Sequence, residues 1–350
     1  MLIGSYTYER EKLENWIRKE RIRRFAVQLP AGLLPLAARI LEELGSFGET
    51  VLYAEPAFGA CDFPDPSEVP GVDGVLHLGH AAIPGVAKSR KILFLELYST
   101  REAMPPPELP EGIGEHLCLF TTVQYLKQLR EISAFLEKAG KKVSIPEPKN
   151  RTIYPGQVLG CDVSSVLSSK SVDSYIFVGE GDFHPIGAAF FTSKPVYRYE
   201  LDGKILPVKF DREEFLKKGF GKSSVIQNAN SIGIVVCTKP GQRRFTTARM
   251  LERILKKHGK KTGMILLNNL TPEILNWTGF DLLISTACPR IALEDYRNYR
   301  IPLLTPQEAL LGLGEIKNYE IDQFSSADVT PCFCRMPDRP GGCDTGQPLM

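Results

Sequence analysis

At 350 residues, with 43% hydrophobic and 24% charged residues and a net charge of +2, the chain has the composition of a globular protein of two or three domains. No apolar run is long enough to cross a bilayer, and so small a net charge gives no pull toward membrane or nucleic acid. The polar start, Met1 to Arg10, carries no secretory signal, so a cytoplasmic location is expected, with the eight cysteines as thiols or metal ligands.

The first third alternates strand and helix. Arg24–Pro30 reads as a strand, and Leu33, Leu34, Ala37, Ile40, Leu41 and Leu44 follow at helical spacing. Short continuous apolar runs at Val51–Ala54, Gly74–Leu78 and Ile92–Leu95 suit strands of a parallel sheet buried on both faces. The run Arg18–Arg24 reads as the solvated face of a helix followed by a strand start. Met104–Gly114, rich in Pro and Gly, reads as a linker.

The second third repeats this order with His116–Phe120, a helical face from Val123 to Leu136, and then Lys142–Ile145, Tyr175–Val178 and Pro195–Tyr197. The charged stretch Asp211–Lys222 separates it from the last third. There Ile232–Val236, a helix carrying Ala248, Leu251, Ile254 and Leu255, and then Gly263–Leu267, Leu282–Ser285 and Pro302–Leu304 repeat the order again. The expected architecture is therefore three similar parallel-sheet α/β domains around a pseudo-threefold centre. They span residues 1–103, 115–210 and 228–314, with a C-terminal extension, 315–350, carrying Cys332, Cys334 and Cys343.

Each domain holds one cysteine among small or turn-forming residues just beyond an apolar run: Cys61, Cys161 and Cys288. Cys61 and Cys161 fall between the second and third strands of their units, and Cys288 falls just after the third. Ligands of open parallel sheets gather beyond the carboxyl ends of the strands, so all three lie at the same sheet edge. Spacing alone leaves two readings open: convergence on an iron–sulfur cluster, or three separate core thiols. Three thiolates would leave one iron of a 4Fe–4S cluster open to substrate, whereas zinc prefers four ligands with a close pair.

Several segments resemble the archaeal diphthamide synthase subunit 2 family, the 2-(3-amino-3-carboxypropyl)histidine synthases. They are Gly59-Ala60-Cys61-Asp62, His77-Leu78-Gly79-His80, Thr121–Tyr125, Tyr154–Asp162, Gly179–Pro185, Thr238–Gln242 and Thr286–Arg290, in the family's order across residues 20 to 310. The resemblance implies a homodimer of triplicated α/β chains. It further implies that Cys61, Cys161 and Cys288 hold a 4Fe–4S cluster, reduced by an electron donor, that cleaves the Cγ–S bond of S-adenosylmethionine. The 3-amino-3-carboxypropyl group would pass to a histidine of translation elongation factor 2, the first step of diphthamide formation.

Arg290 is a candidate for gripping the substrate carboxylate through paired hydrogen bonds, against a surface arginine at a helix start. Gln242 is a candidate for the same end or the ribose, against an ordinary turn residue. Gly79 and Gly179 end their third strands and would allow close backbone approach to the adenosyl group, against merely tight turns. His80 and His184 could touch substrate or satisfy local backbone groups. Cys118 and Cys237 read as core residues. The tail cysteines are open between a second metal or redox role and an incidental presence. Two other functions remain: a quinolinate-synthase-like dehydrating lyase, which the Thr-Lys-Pro-Gly-Gln and Ala-Cys-Pro-Arg segments oppose, and a non-catalytic partner subunit, which retention of all three cysteines opposes.

Overall fold

Three parallel sheets, one in each third of the chain, are wound in the same order. They are seen in a computed structural model that describes residues 2–319 apart from Lys170 and Glu294, together with Asp322 and Phe324. Cys332, Cys334 and Cys343 lie outside the described residues. The first sheet runs Glu49–Ala57, Arg24–Pro30, Gly74–Leu78, Ile92–Leu95. The second runs Lys142–Ser144, His116–Thr121, Ser174–Val178, Val196–Tyr199, with Ile205–Pro207 added antiparallel at one edge. The third runs Lys261–Leu267, Ser231–Cys237, Leu282–Ser285, Leu303–Leu304. In chain order each reads second, first, third, fourth. The winding therefore reverses between the first and third strands, which lie side by side; in open parallel sheets ligands bind beyond the carboxyl ends at such a reversal.

Burial explains the continuous apolar runs. All five residues of Gly74–Leu78 and of Ser174–Val178 are buried, as expected of central strands covered on both faces. The helices supply the cover: Leu126–Lys138 buries Leu129, Ile132 and Leu136, and Phe245–Lys257 buries Ala248, Leu251 and Leu255. Cys118 and Cys237 are buried on first strands.

The amino ends of the sheets share a device. Asp73 Oδ2 accepts the backbone N–H groups of Arg23 and Arg24 at 2.8 and 2.9 Å. Asp173 Oδ2 does the same for Glu115 and His116, both at 2.8 Å. Asp281 Oδ2 does so for Asn230 and Ser231 at 2.9 and 2.8 Å. Each carboxylate thus locks the start of the first strand to the start of the third, and these hydrogen bonds hold all three aspartates below the usual carboxylate range.

Two expected elements change form. The helix predicted from Leu33 to Leu44 opens as a 3-10 segment, Ala31–Leu36, before the α-helix Ala37–Leu44. Pro35 lies inside the first piece and has no N–H for an α-helical ladder. The charged stretch read as a separator is a helix, Arg212–Ser223. Pairs Glu213–Lys217 and Glu214–Lys218 line its wet side, while Phe215 stacks on Tyr319 with ring centroids 5.8 Å apart. The run Arg18–Arg24 is as expected: the helix Arg10–Glu20 ends at Arg21 in the left-handed region and the strand starts at Arg24.

The chain divides into two compact units, one from Met1 to Arg212 with the first two sheets and one from Glu213 onward with the third. The second unit is fastened by a buried two-point ion pair, Arg244 to Asp322, at 2.6 and 3.0 Å. Among the described residues no helix is long and apolar enough to cross a membrane.

Candidate functional site

The Cys61 loop leaves the carboxyl end of Glu49–Ala57 and closes on itself. The Asp62 N–H donates to the Gly59 carbonyl at 3.0 Å, and Asp62 Oδ2 accepts the Phe58 N–H at 3.4 Å. Ala60 and Asp62 are buried, Cys61 is half-buried, and Phe58 is 73% exposed.

The Cys161 loop is built more rigidly. It crosses the carboxyl end of His116–Thr121, exchanging backbone bonds with Thr121 from Gly156 and Val158, both 2.8 Å. Gln157 Oε1 accepts the N–H groups of Ile153 and Tyr154 at 3.1 and 3.2 Å. Asp162 accepts from the backbone of Arg151 and Ser164, both at 3.0 Å. The aspartate after each of these two cysteines is therefore committed to shaping its loop. Gly160 has no room for a side chain: a Cβ there would stand 2.3 Å from the Phe183 ring. Tyr154 Oη donates to Glu96 Oε1 at 3.2 Å, and the buried Glu96 pairs with Lys12, so the loop is tied to the first sheet. Cys61 and Leu159, two residues before Cys161, pack on the same apolar cluster of Ala60, Phe63, Ile83 and Phe94. The first two cysteine loops thus meet within one unit.

In the other unit the third strand is followed by Thr286, whose N–H and hydroxyl both donate to the Val235 carbonyl at 2.9 Å. The Cys288 N–H donates to Gln242 Oε1 at 3.2 Å, so the buried Gln242, in the turn Pro240–Gln242, positions the backbone of the cysteine. Pro289 opens the short helix Pro289–Leu293, on which Arg290 is exposed.

The three aspartates give a common register. Cys61 and Cys161 each stand twelve residues before Asp73 and Asp173, while Cys288 stands seven after Asp281, where the other sheets have His80 and Glu180. Burial also sorts the thiols. Among the described residues Cys118 and Cys237 are buried, and the Cys118 thiol is pushed up to about 11 by desolvation. Cys61, Cys161 and Cys288 are half-buried and accessible. No three His, Cys, Asp or Glu side chains come together as a preformed metal site among the described residues of either unit. The donor chemistry nevertheless fits a cluster: three accessible thiols, each on a glycine- or proline-shaped loop at a sheet's carboxyl edge.

The other candidates differ in how they are held. His80 and His77 are linked at 2.9 Å, and burial depresses both, His80 to about 4. His184, on the helix Phe183–Phe191, stacks on Phe177 at 5.5 Å between centroids. Gly79 and Gly179 have φ of 91° and 143°, and at Gly179 a Cβ would meet the Phe177 ring at 3.1 Å.

The family model "Putative diphthamide synthesis protein" matches residues 29–324. The chain belongs to this diphthamide synthesis family. It is 33% identical over 314 residues to the 2-(3-amino-3-carboxypropyl)histidine synthase of Pyrococcus horikoshii, covering 86% of this chain and 89% of that one. It is 27% identical to subunit 1 of the mouse enzyme of that name, covering 95% of this chain and 78% of that one. The crystal structure of Dph2 from Pyrococcus horikoshii with a 4Fe-4S cluster matches with a TM-score of 0.79 at 29% identity, covering 91% of this chain and 94% of that chain. The α/β class with several parallel sheets expected from the sequence is therefore the family's fold. Sequence reasoning missed the Asp73, Asp173 and Asp281 clamps. The available signal was an aspartate preceding each third strand by zero or one residue, visible only once the strands are aligned.

Proposed function

We propose that this chain is a 2-(3-amino-3-carboxypropyl)histidine synthase. It would transfer the 3-amino-3-carboxypropyl group of S-adenosylmethionine to a histidine of translation elongation factor 2, the first step of diphthamide biosynthesis. The observation that carries this reading is the sorting of the thiols. In a chain of this family, among the described cysteines, the three at the carboxyl edges of like-wound sheets are half-buried and accessible, and those on strands are buried.

In this reading Cys61, Cys161 and Cys288 hold a 4Fe–4S cluster with three thiolates. Such a cluster, once bound and reduced by an electron donor, would supply the one electron that cleavage of the Cγ–S bond requires. The protein's part is orientation, since the pocket's hold on the sulfonium selects which of its carbon–sulfur bonds reacts. Arg290 takes the carboxylate through a charge-assisted pair of hydrogen bonds. Gln242 keeps the Cys288 loop in place and lies beside the same end of the substrate. Gly79 and Gly179 admit the adenosyl group close to the backbone, and His80 and His184 line the substrate space. The reading includes three domains around a pseudo-threefold centre, assembly as a homodimer, and a cytoplasmic location.

The test is anaerobic incubation of the reconstituted protein with reductant, S-adenosylmethionine and elongation factor 2. Methylthioadenosine and a modified histidine are expected. Release of 5′-deoxyadenosine would overturn the bond assignment. No cleavage by a protein that holds its cluster would point to the dehydrating lyase or the partner subunit instead.

A further inference from the structure

The segment His77-Leu78-Gly79-His80 is more than a strand end. Gln28 and His77 are direct partners on the adjacent strands Arg24–Pro30 and Gly74–Leu78, and both are buried, at 1% and 0% exposure. His77 is wrapped by aromatic rings, 4.8 Å from Phe94 and 6.5 Å from Phe63 between centroids, in the cluster on which Cys61 and Leu159 pack. Two polar groups in such a place are tolerated only when bonded to each other. Here the bonds run in series: Gln28 Oε1 to His77 Nδ1 at 2.9 Å, then His77 Nε2 to His80 Nδ1 at 2.9 Å.

The series has a direction. An amide oxygen only accepts, so His77 carries its proton on Nδ1 and leaves Nε2 as an acceptor. His80 must then donate from Nδ1, which leaves its own Nε2 with a bare lone pair. His80 is half-buried, and the hydrogen bond its ring makes to His77 runs through Nδ1, on the opposite side of the ring from Nε2. The backbone aims the ring as well. Gly79 is left-handed, a Cβ there would meet Pro30 at 3.1 Å, and the Gly79 carbonyl accepts from Gln124 Nε2 at 2.9 Å.

We propose that Gln28 and His77 are positioning residues that fix His80 as its Nδ1–H tautomer, so that His80 Nε2 accepts a hydrogen bond from the α-ammonium group of S-adenosylmethionine. The inference rests on the reading of the substrate given above. A bare imidazole nitrogen suits a substrate that carries both a sulfonium and an ammonium, because an imidazolium would repel the two charges. The desolvation that depresses His77 and His80 works in the same sense.

The tautomers can be read without any cluster. In metal-free protein labelled with nitrogen-15 at its five histidines, long-range proton–nitrogen spectra should show His80 protonated at Nδ1 and bare at Nε2 at pH 7. Gln28→Leu should convert that single pattern to a mixture, while Gln28→Glu, which still accepts, should keep it. A His80 carrying its proton on Nε2, or charged at pH 7, would overturn the assignment. Calorimetric titration of the cluster-loaded protein supplies the second arm. His80→Ala should weaken S-adenosylmethionine about 10- to 100-fold, the range of a lost charge-assisted hydrogen bond. It should leave an analogue lacking the amino group unchanged, and His80→Gln should recover part of the loss. Equal weakening of both ligands, or no weakening of either, sinks the assignment while the transfer reading stands. A wild-type protein that holds its cluster and binds no S-adenosylmethionine would overturn both.

Discussion

The amino ends of the three sheets are copies of one another, and the carboxyl ends are not. At each amino end an aspartate takes two backbone N–H groups at the start of the first strand, with bonds of 2.8 to 2.9 Å. At the carboxyl ends the position seven residues after that aspartate holds His80, Glu180 or Cys288. The amino ends solve a problem that every such sheet has, which is to pin two adjacent parallel strands in register. The carboxyl ends follow the same winding but each is equipped differently. Repetition thus marks the scaffold, and divergence marks the chemistry.

The sharpest way to break that comparison is to remove one thiol at a time. Cys61→Ala, Cys161→Ala and Cys288→Ala should each abolish retention of iron and sulfide after anaerobic reconstitution. Cys118→Ala should keep the cluster and lose about 1 kcal/mol of stability by leaving a small core void, measured by denaturant unfolding. Iron retained at wild-type levels in any of the first three would remove that cysteine from the site.

Next in size is the buried Arg244–Asp322 pair, which fastens the second unit just beyond the turn that holds Gln242. Asp322→Ala leaves a buried guanidinium uncompensated and should cost about 3–5 kcal/mol in chemical denaturation. A loss within a few tenths of wild type would show that the pair is not held as described. Gly160→Ala follows. Its methyl would enter the Phe183 ring, so overpacking of about 1–3 kcal/mol is expected, with weakened cluster retention as the loop shifts.

The smallest effect belongs to the clamps and is read through pH. All three aspartates titrate below their ordinary value of about 4 because backbone N–H groups favour the charged form. Their contribution is present above that value and is lost as pH falls through the lower folded value. A triple variant, with Asp73, Asp173 and Asp281 each changed to Ala, should melt below wild type at pH 7. The two melting temperatures should approach each other toward pH 2. A gap that does not narrow in acid would mean that the carboxylates act otherwise than by charge.

Much of this was legible from residues alone, and the pattern of what was not is instructive. Continuous apolar runs located the central strands, because a strand covered on both faces has no polar side to show. The Leu33–Leu44 helix was legible in position but not in form, since helical spacing does not register the missing N–H of Pro35. Arg212–Ser223 was hidden by its charges, because the apolar side that seats it, Phe215 against Tyr319, is narrow. Gln242 was visible as a residue in a turn, yet its bond to the Cys288 backbone spans 46 residues and leaves no local trace.

The sequence by itself determined the strands and their order along the chain, the three cysteines that stand apart from them, and the motifs that carry the family. Only the tertiary structure decided which polar side chains work together. Apolar periodicity reports that a residue is buried and says nothing of its partner. The partner is chosen by the winding, which places the second strand outside the first and so brings the first and third side by side. That adjacency is what sets Asp73 beneath Arg23 and Arg24, and Gln28 against His77, across 49 or 50 residues of chain.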